Sequence, residues 1–183
     1  DFVTIANTGD ATDFGDLTAV TVSASAGGSS TRAVFMGGYG PSPHGNVIQF
    51  TEISSTGNAV DFGDLTRGCR PTNNGTSNRI IAATMGAEIS GGSDNIIDYI
   101  TIASQGNAVN FGDMLSAVYA SGCASNSTRG IAMGGLTPSG NSNVIQYITW
   151  SSKGNAVDFG DDTAAHHRNG ACSNAGGGLD LTS

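Results

Sequence analysis

One segment recurs four times: FVTIANTGDATDFGDLT from Phe2, FTEISSTGNAVDFGDLT from Phe50, YITIASQGNAVNFGDML from Tyr99 and YITWSSKGNAVDFGDDT from Tyr147. The shared aromatic falls at Phe14, Phe62, Phe111 and Phe159, so the successive spacings are 48, 49 and 48 residues. A period of this size marks one supersecondary unit copied along the chain, each copy burying its apolar surface against the next. Two further blocks recur between the copies. One reads STRAVFMGGY at 30–39, SNRIIAATMGA at 77–87 and STRGIAMGGL at 127–136; the other reads NVIQF, NIIDY and NVIQY, ending at Phe50, Tyr99 and Tyr147.

Within a period, apolar runs alternate with turn residues. In the first complete unit the runs are about 17–26, 32–38, 46–54 and 58–64, rich in Val, Ile, Thr and Phe and bounded by Gly, Asn, Ser and Pro. Such runs predict strands. The turns STGN, SQGN and SKGN suit hairpins in which glycine supplies a positive φ. VIQFTEI and IIDYITI place apolar side chains on both faces, as expected of sheets covered on both sides. Four strands per 48-residue unit predict an all-β fold, a β-propeller of four-stranded blades, ahead of a β-solenoid, whose coils are usually shorter. The blades would span about 17–64, 65–113 and 114–161 of one domain, residues 1–183. A fourth, closing blade would join strands at about 163–172 and 178–182, the latter containing Leu179–Leu181, to strands at about 1–6 and 10–15. Residues 162–183 and 1–16 would thus staple the ring.

The formal charge is −8, from 15 acidic and 7 basic residues, and Lys153 is the sole lysine. Clustered Lys and Arg, which nucleic-acid binding needs, are missing. No run approaches the ~18 apolar residues of a membrane-spanning helix. Seven of the acids are Asp13, Asp16, Asp61, Asp64, Asp113, Asp158 and Asp161 of the repeated turn, so the acidity partly reflects that repetition. Cys69, Cys123 and Cys172 form neither an even disulfide set nor a zinc spacing. They read as small buried thiols, with Cys123 and Cys172 at nearly matching repeat positions. The first residue is Asp1 and no signal peptide is recognisable, which reads as a processed, trimmed or partial chain.

These residues resemble a kelch-type repeat. Gly37–Gly38 and Gly134–Gly135 stand where kelch repeats carry a double glycine, with Gly86–Ala87 as a departure. Phe50, Tyr99 and Tyr147 resemble the kelch aromatic position, and Phe14, Phe62, Phe111 and Phe159 stand where those repeats usually have Trp. The longer spacing makes this a kelch-like variant. The wording around NVIQY and GNAVDFGD is similar to repeats of marine phage, especially cyanophage, virion proteins of the tail-fibre or appendage kind. That resemblance covers nearly the whole chain and implies a structural or attachment role.

Several residue sets invite chemistry. The DFGD carboxylates could ring a calcium ion, and DFGDLT loosely resembles the Asp-box of sialidase-type propellers. A feature repeated in every unit is better explained by folding: Asp bonds the local backbone and Gly permits the bend. Arg32, Arg79 and Arg129 recur at the start of the second strand and are expected to pair with DFGD aspartates of the same or the next blade, as structural residues alongside Gly38 and Gly135. His166 and His167, near Asp161, Asp162 and Cys172, point to opposite faces of a strand and so do not share a metal ion. The residues match neither the Tyr/Cys/His set of copper-radical kelch oxidases, nor a Ser/His/Asp triad, nor a phosphate loop. No cofactor and no metal are expected.

The loops after the GG strand differ between units: YGPSPHGN, AEISGGSDN and LTPSGNSN. Variable loops on a repeated frame are the pattern of a binding surface. Tyr39, His44, Glu88, Asp94 and Asn141 are the candidate ligand contacts. The expected function is a non-enzymatic binding or structural module, a phage virion appendage or host-attachment protein, located on the virion or outside the cell. Its partners would be other virion or cell-surface proteins, or a surface glycan, with self-association into a homo-oligomer as a further expectation and no membrane insertion. A lectin-like propeller is the alternative. A propeller enzyme or an intracellular kelch-type adaptor has less support in the residues.

Overall fold

Each complete repeat forms a small antiparallel sheet, in which short β-branched and aromatic runs separated by turn residues pair with their neighbours in the chain. The computed structural model describes residues 1–40 and 44–173. The first sheet runs in the order β1 (Ser25–Gly28), β2 (Arg32–Gly38), β3 (Gly45–Glu52) and β4 (Val60–Asp64). The second repeats it with β5 (Gly75–Ser77), β6 (Ile81–Ile89), β7 (Gly92–Thr101) and β8 (Val109–Asp113). The third contains β9 (Gly122–Ser125), β10 (Arg129–Met133), β11 (Leu136–Thr137), β12 (Gly140–Thr149) and β13 (Val157–His166). There β12 lies between β10 and β13 and also pairs with β11.

The alternation of strand side chains decides how sheets pack. Val34, Met36, Ile48, Phe50 and Phe62 leave one face of the first sheet and meet Ala82, Ile100, Ile102 and Ala108 of the second in one buried cluster. The opposite face of the second sheet presents Ala83, Met85, Ile97 and Phe111 to Ala132, Ile148, Trp150 and Ala156 of the third. The middle sheet is thus apolar on both sides, the physical reason for its weak polar alternation. Each fully buried Ile, Met or Phe contributes about 1.5–3 kcal/mol.

Both glycine motifs are β-bulges. At Gly37, Gly86 and Gly134 φ is 64°, 70° and 62°, and the pairing of β2 with β3 and of β6 with β7 slips by one residue there. The extra residue lies on β3 and β7, where two residues face the single left-handed Gly37 or Gly86. Ala87 replaces the second glycine, and β6 runs on to Ile89, where it closes a hairpin on Gly92. The second bulge is the DFG aromatic itself. Phe62, Phe111 and Phe159 are each the extra residue against β3, β7 and β12. In the first and last copies the aspartate before it closes the turn, as expected: Gly15 N–H donates to Asp13 Oδ1 and Gly160 N–H to Asp158 Oδ1, both at 3.1 Å.

That bulge also joins successive units. Phe14 O accepts from Gly57 N, Phe62 O from Gly106 N and Phe111 O from Gly154 N, at 2.7, 2.8 and 2.8 Å. Two residues on, Asp16, Asp64 and Asp113 carbonyls accept from Ala59, Ala108 and Ala156, each at 2.8 Å. Between them, the Asn58, Asn107 and Asn155 side chains accept from the Asp16, Asp64 and Asp113 amides, each at 3.0 Å. The junction is therefore the same hydrogen-bonded strip made three times.

Residues before Gly15 form the matching half of a unit. Phe2 bridges Thr12, as Phe50 pairs Val60 and Tyr99 pairs Val109. Phe2 and Phe14 meet edge to face at 5.9 Å, like Phe50–Phe62 at 5.7 Å and Tyr99–Phe111 at 5.5 Å. The half-unit only partly covers the first sheet and leaves an apolar cavity of about 360 Å³ bounded by Phe14, Ala33, Phe35, Thr51 and Ile53.

Among the described residues the three sheets are not joined in a ring. Residues 163–166, expected to open a separate strand, instead extend β13 and return to β12 through Ser142–His166. The ladder is broken on the way, since Asp161 faces Val144 and the next pair is His166 with Ser142. No strand is formed at 167–173, and the expected strand at 178–182, with Leu179–Leu181, lies outside the described residues.

Candidate functional site

Arg32 pairs with Glu52 and not with a DFGD aspartate. Arg32 Nε donates to Glu52 Oε1 at 2.8 Å, its Nη1 reaches the Ile102 and Ala103 carbonyls at 3.0 and 3.1 Å, and the guanidinium lies over Phe50, 4.6 Å from the ring centre. Arg129 lies over Tyr147 at 4.3 Å. In the middle unit Ile81 occupies that register, opposite Thr101, so Arg79 stands two residues earlier in the chain. Lys153 of the following unit supplies the cation over Tyr99, at 4.3 Å. Each of the three aromatics thus carries a cation on its face. The sequence repeat of Arg hid this, because Arg79 matches by motif and not by register.

The residue before each of those aromatics is a buried acceptor. Gln49 takes the Thr18 amide at 2.7 Å and Gln146 takes Leu115 at 2.8 Å. In the middle unit the acceptor is the carboxylate of Asp98, fully buried, holding the Thr66 amide and hydroxyl. Arg67 compensates its charge, Nη1 to Asp98 Oδ2 at 2.8 Å, and binds Asp94 through Nη2 at 2.9 Å and through Nε. Asp94, expected as a ligand contact, is therefore spent on this internal ion cluster. The cluster escaped sequence reasoning because Arg67 and Asp98 lie 31 residues apart in no shared motif.

One structural position carries three chemistries. Val22 bridges Tyr39 in the first unit, Arg70 bridges Glu88 in the second, and Tyr119 bridges Leu136 in the third. Arg70 and Glu88 also form an ion pair at 3.3 Å. Around the second and third of these bridges lies a cleft of about 700 Å³. His44 and Glu88 line it with Ser93, Tyr119 and Thr137, and the tip Ser90–Gly91–Gly92 of the β6–β7 hairpin forms one wall. Two candidate contacts thus come together. Tyr39, Asp94 and Asn141 are not among its lining residues; Tyr39 is exposed, and Asn141 Oδ1 meets His167 Nδ1 at 3.0 Å. Tyr119 falls in none of the recurring sequence blocks. Its equivalence to Val22 and Arg70, 49 residues before it, was the missed signal.

The cleft offers hydroxyls, one carboxylate, one imidazole and peptide groups. Such groups are of the kind that can hydrogen-bond a polyhydroxylated or amide ligand beside a tyrosine. Among the described residues no group of His, Cys, Asp and Glu is arranged to hold a metal ion. His166 faces Asp162 at 3.4 Å while His167 faces Asn141. All three cysteines are free, and burial pushes the Cys69 and Cys123 thiols up to about 12. Compared with known proteins, the chain matches no family model and no curated sequence.

Proposed function

We propose that the chain is a non-enzymatic binding and structural module, a kelch-like β-propeller that serves as a phage virion appendage or host-attachment protein. In this reading the three sheets are blades, and a fourth blade combines residues 162–183 with 1–16. The Phe2–Thr12 half-unit supports it, since its bridge and its edge-to-face aromatic pair match those of complete units. The functional reading rests on the contrast between frame and cleft. The junction hydrogen bonds repeat position for position, whereas Val22–Tyr39, Arg70–Glu88 and Tyr119–Leu136 place different chemistry at one repeated bridge. A frame held constant beneath a varied surface is how binding sites are built on repeat scaffolds. Immunogold labelling with an antibody to the chain tests the role: gold on particle appendages supports it, and label confined to cytosol free of particles overturns it.

A lectin-like activity is the second reading, favoured by the tyrosine-walled, hydroxyl-rich cleft at Glu88 and Tyr119. A glycan array probed with the folded chain decides it, since the absence of any bound glycan removes this reading.

A further inference from the structure

Among the described residues, the repeated junction has an unused half at each end of the stack. At the third sheet, Phe159 is 54% exposed, whereas its equivalents Phe62 and Phe111 are 3% and 4% exposed. Gly160 has open space where Gly15, Gly63 and Gly112 each meet the backbone of the next unit. At the other end the half-unit shows Val3, 58% exposed, and Ile5, 98% exposed. In the second sheet the equivalents of Val3 and Ile5 are Ile100 and Ile102, 3% and 1% exposed beneath the first sheet. The turn Gly9–Asp10–Ala11 stands where Gly57–Asn58–Ala59 receives the Phe14 strip. Asp10 keeps the side-chain oxygen with which Asn58 accepts the Asp16 amide.

We infer that the half-unit of a second copy of this chain docks on the third sheet of the first. Phe159 O would accept from the second copy's Gly9 N–H and Asp161 O from its Ala11 N–H, with Val3 and Ile5 covering Phe159. The occupant is argued from continuity: the same interface forms three times inside the chain, and one chain leaves both halves open at opposite ends of its stack. The union is head to tail, so it closes into a larger ring or propagates as a fibre. The cavity of about 360 Å³ behind Phe14 lies on the face against which the other half of that unit would pack. This inference rests on the proposed fourth blade and says that its halves come from different chains.

The test uses two variants in a Cys172→Ser background, Asp10→Cys and Asp161→Cys, each with a different tag. They are produced singly, together, and combined in one chain, then treated with a short bis-maleimide. The Asn58→Cys/Asp16→Cys double variant reports the internal junction as a reference. Expected is a cross-linked heterodimer from the co-produced single variants at a yield like the reference, lost when Gly160→Val is added to the Asp161→Cys chain. A cross-link within one chain from the combined variant, with no heterodimer, overturns the second-copy occupant and keeps the four-bladed ring. No cross-link in either format, with the reference intact, overturns both.

Discussion

Replacing the glycine of the DFG bulge measures what holds one unit to the next. At Gly63 φ is 146°, and a Cβ would fall 2.5 Å from the Gly106 carbonyl oxygen and 2.9 Å from the Asn107 nitrogen. Both obstacles are backbone, so no side chain can swing aside. Gly160 has nearly the same φ, 142°, with nothing within 4 Å. Placing alanine at that φ costs about 1–3 kcal/mol at either site. At Gly63 the unit must also shift, loosening the bonds from Gly106 N to Phe62 O and Ala108 N to Asp64 O, both 2.8 Å, and from the Asp64 amide to Asn107. Each contributes about 0.5–1.5 kcal/mol, so losing two adds roughly 2 kcal/mol. Gly63→Ala should therefore cost ~3–5 kcal/mol and Gly160→Ala ~1–3 kcal/mol. The first is a large share of the ~5–15 kcal/mol that holds a typical domain folded. Urea unfolding followed by circular dichroism, at concentrations where the chain is monomeric, gives the comparison. Equal losses at the two sites, within 0.5 kcal/mol, would refute the argument that the repeated glycine serves the junction.

Other perturbations probe the remaining parts. Arg67→Met leaves the Asp94 and Asp98 carboxylates together in the interior and should destabilise by about 3–5 kcal/mol in the same assay. Asp98→Gln, which adopts the residue of the neighbouring units, should cost less than Asp98→Ala, because the Thr66 amide keeps an acceptor. In thiol labelling of the folded chain at neutral pH, exposed Cys172 reacts fast while Cys69 and Cys123 wait for denaturant. Because the folded thiols are held up to about 12 against an ordinary value of 9.0, the unfolded chain sheds those protons first. Stability then falls as pH rises from 9 toward 12, by about 1.4 kcal/mol per pH unit for each thiol, and Cys69→Ala should flatten the slope. If a glycan is found, Tyr119→Ala should weaken its binding at least tenfold in calorimetry with the unfolding midpoint little changed.

Much of the architecture is written in the sequence because a repeat must satisfy the same local rules in every copy. The period, the β content, the hairpins at the GN turns and the structural role of the DFGD aspartate all follow from local sequence patterns. Burial of the middle sheet on both faces is legible in IIDYITI for the same reason. Non-local partnerships are not. Arg32 turns to Glu52 and Phe50, and Lys153 takes over Tyr99, because strand register decides which side chains meet, and a motif match cannot show a two-residue offset such as that of Arg79. The cleft brings His44, Glu88 and Tyr119 together from three units, 44 and 31 residues apart. Only tertiary packing sets such a grouping, since sequence periodicity carries information about faces and turns but none about which distant loops converge. The sequence by itself determined the unit and its glycine turns, through backbone sterics. The tertiary structure decided how units stack, which ends stay open and what the varied bridge positions surround, because those outcomes depend on the rotation between sheets, and no single repeat encodes it.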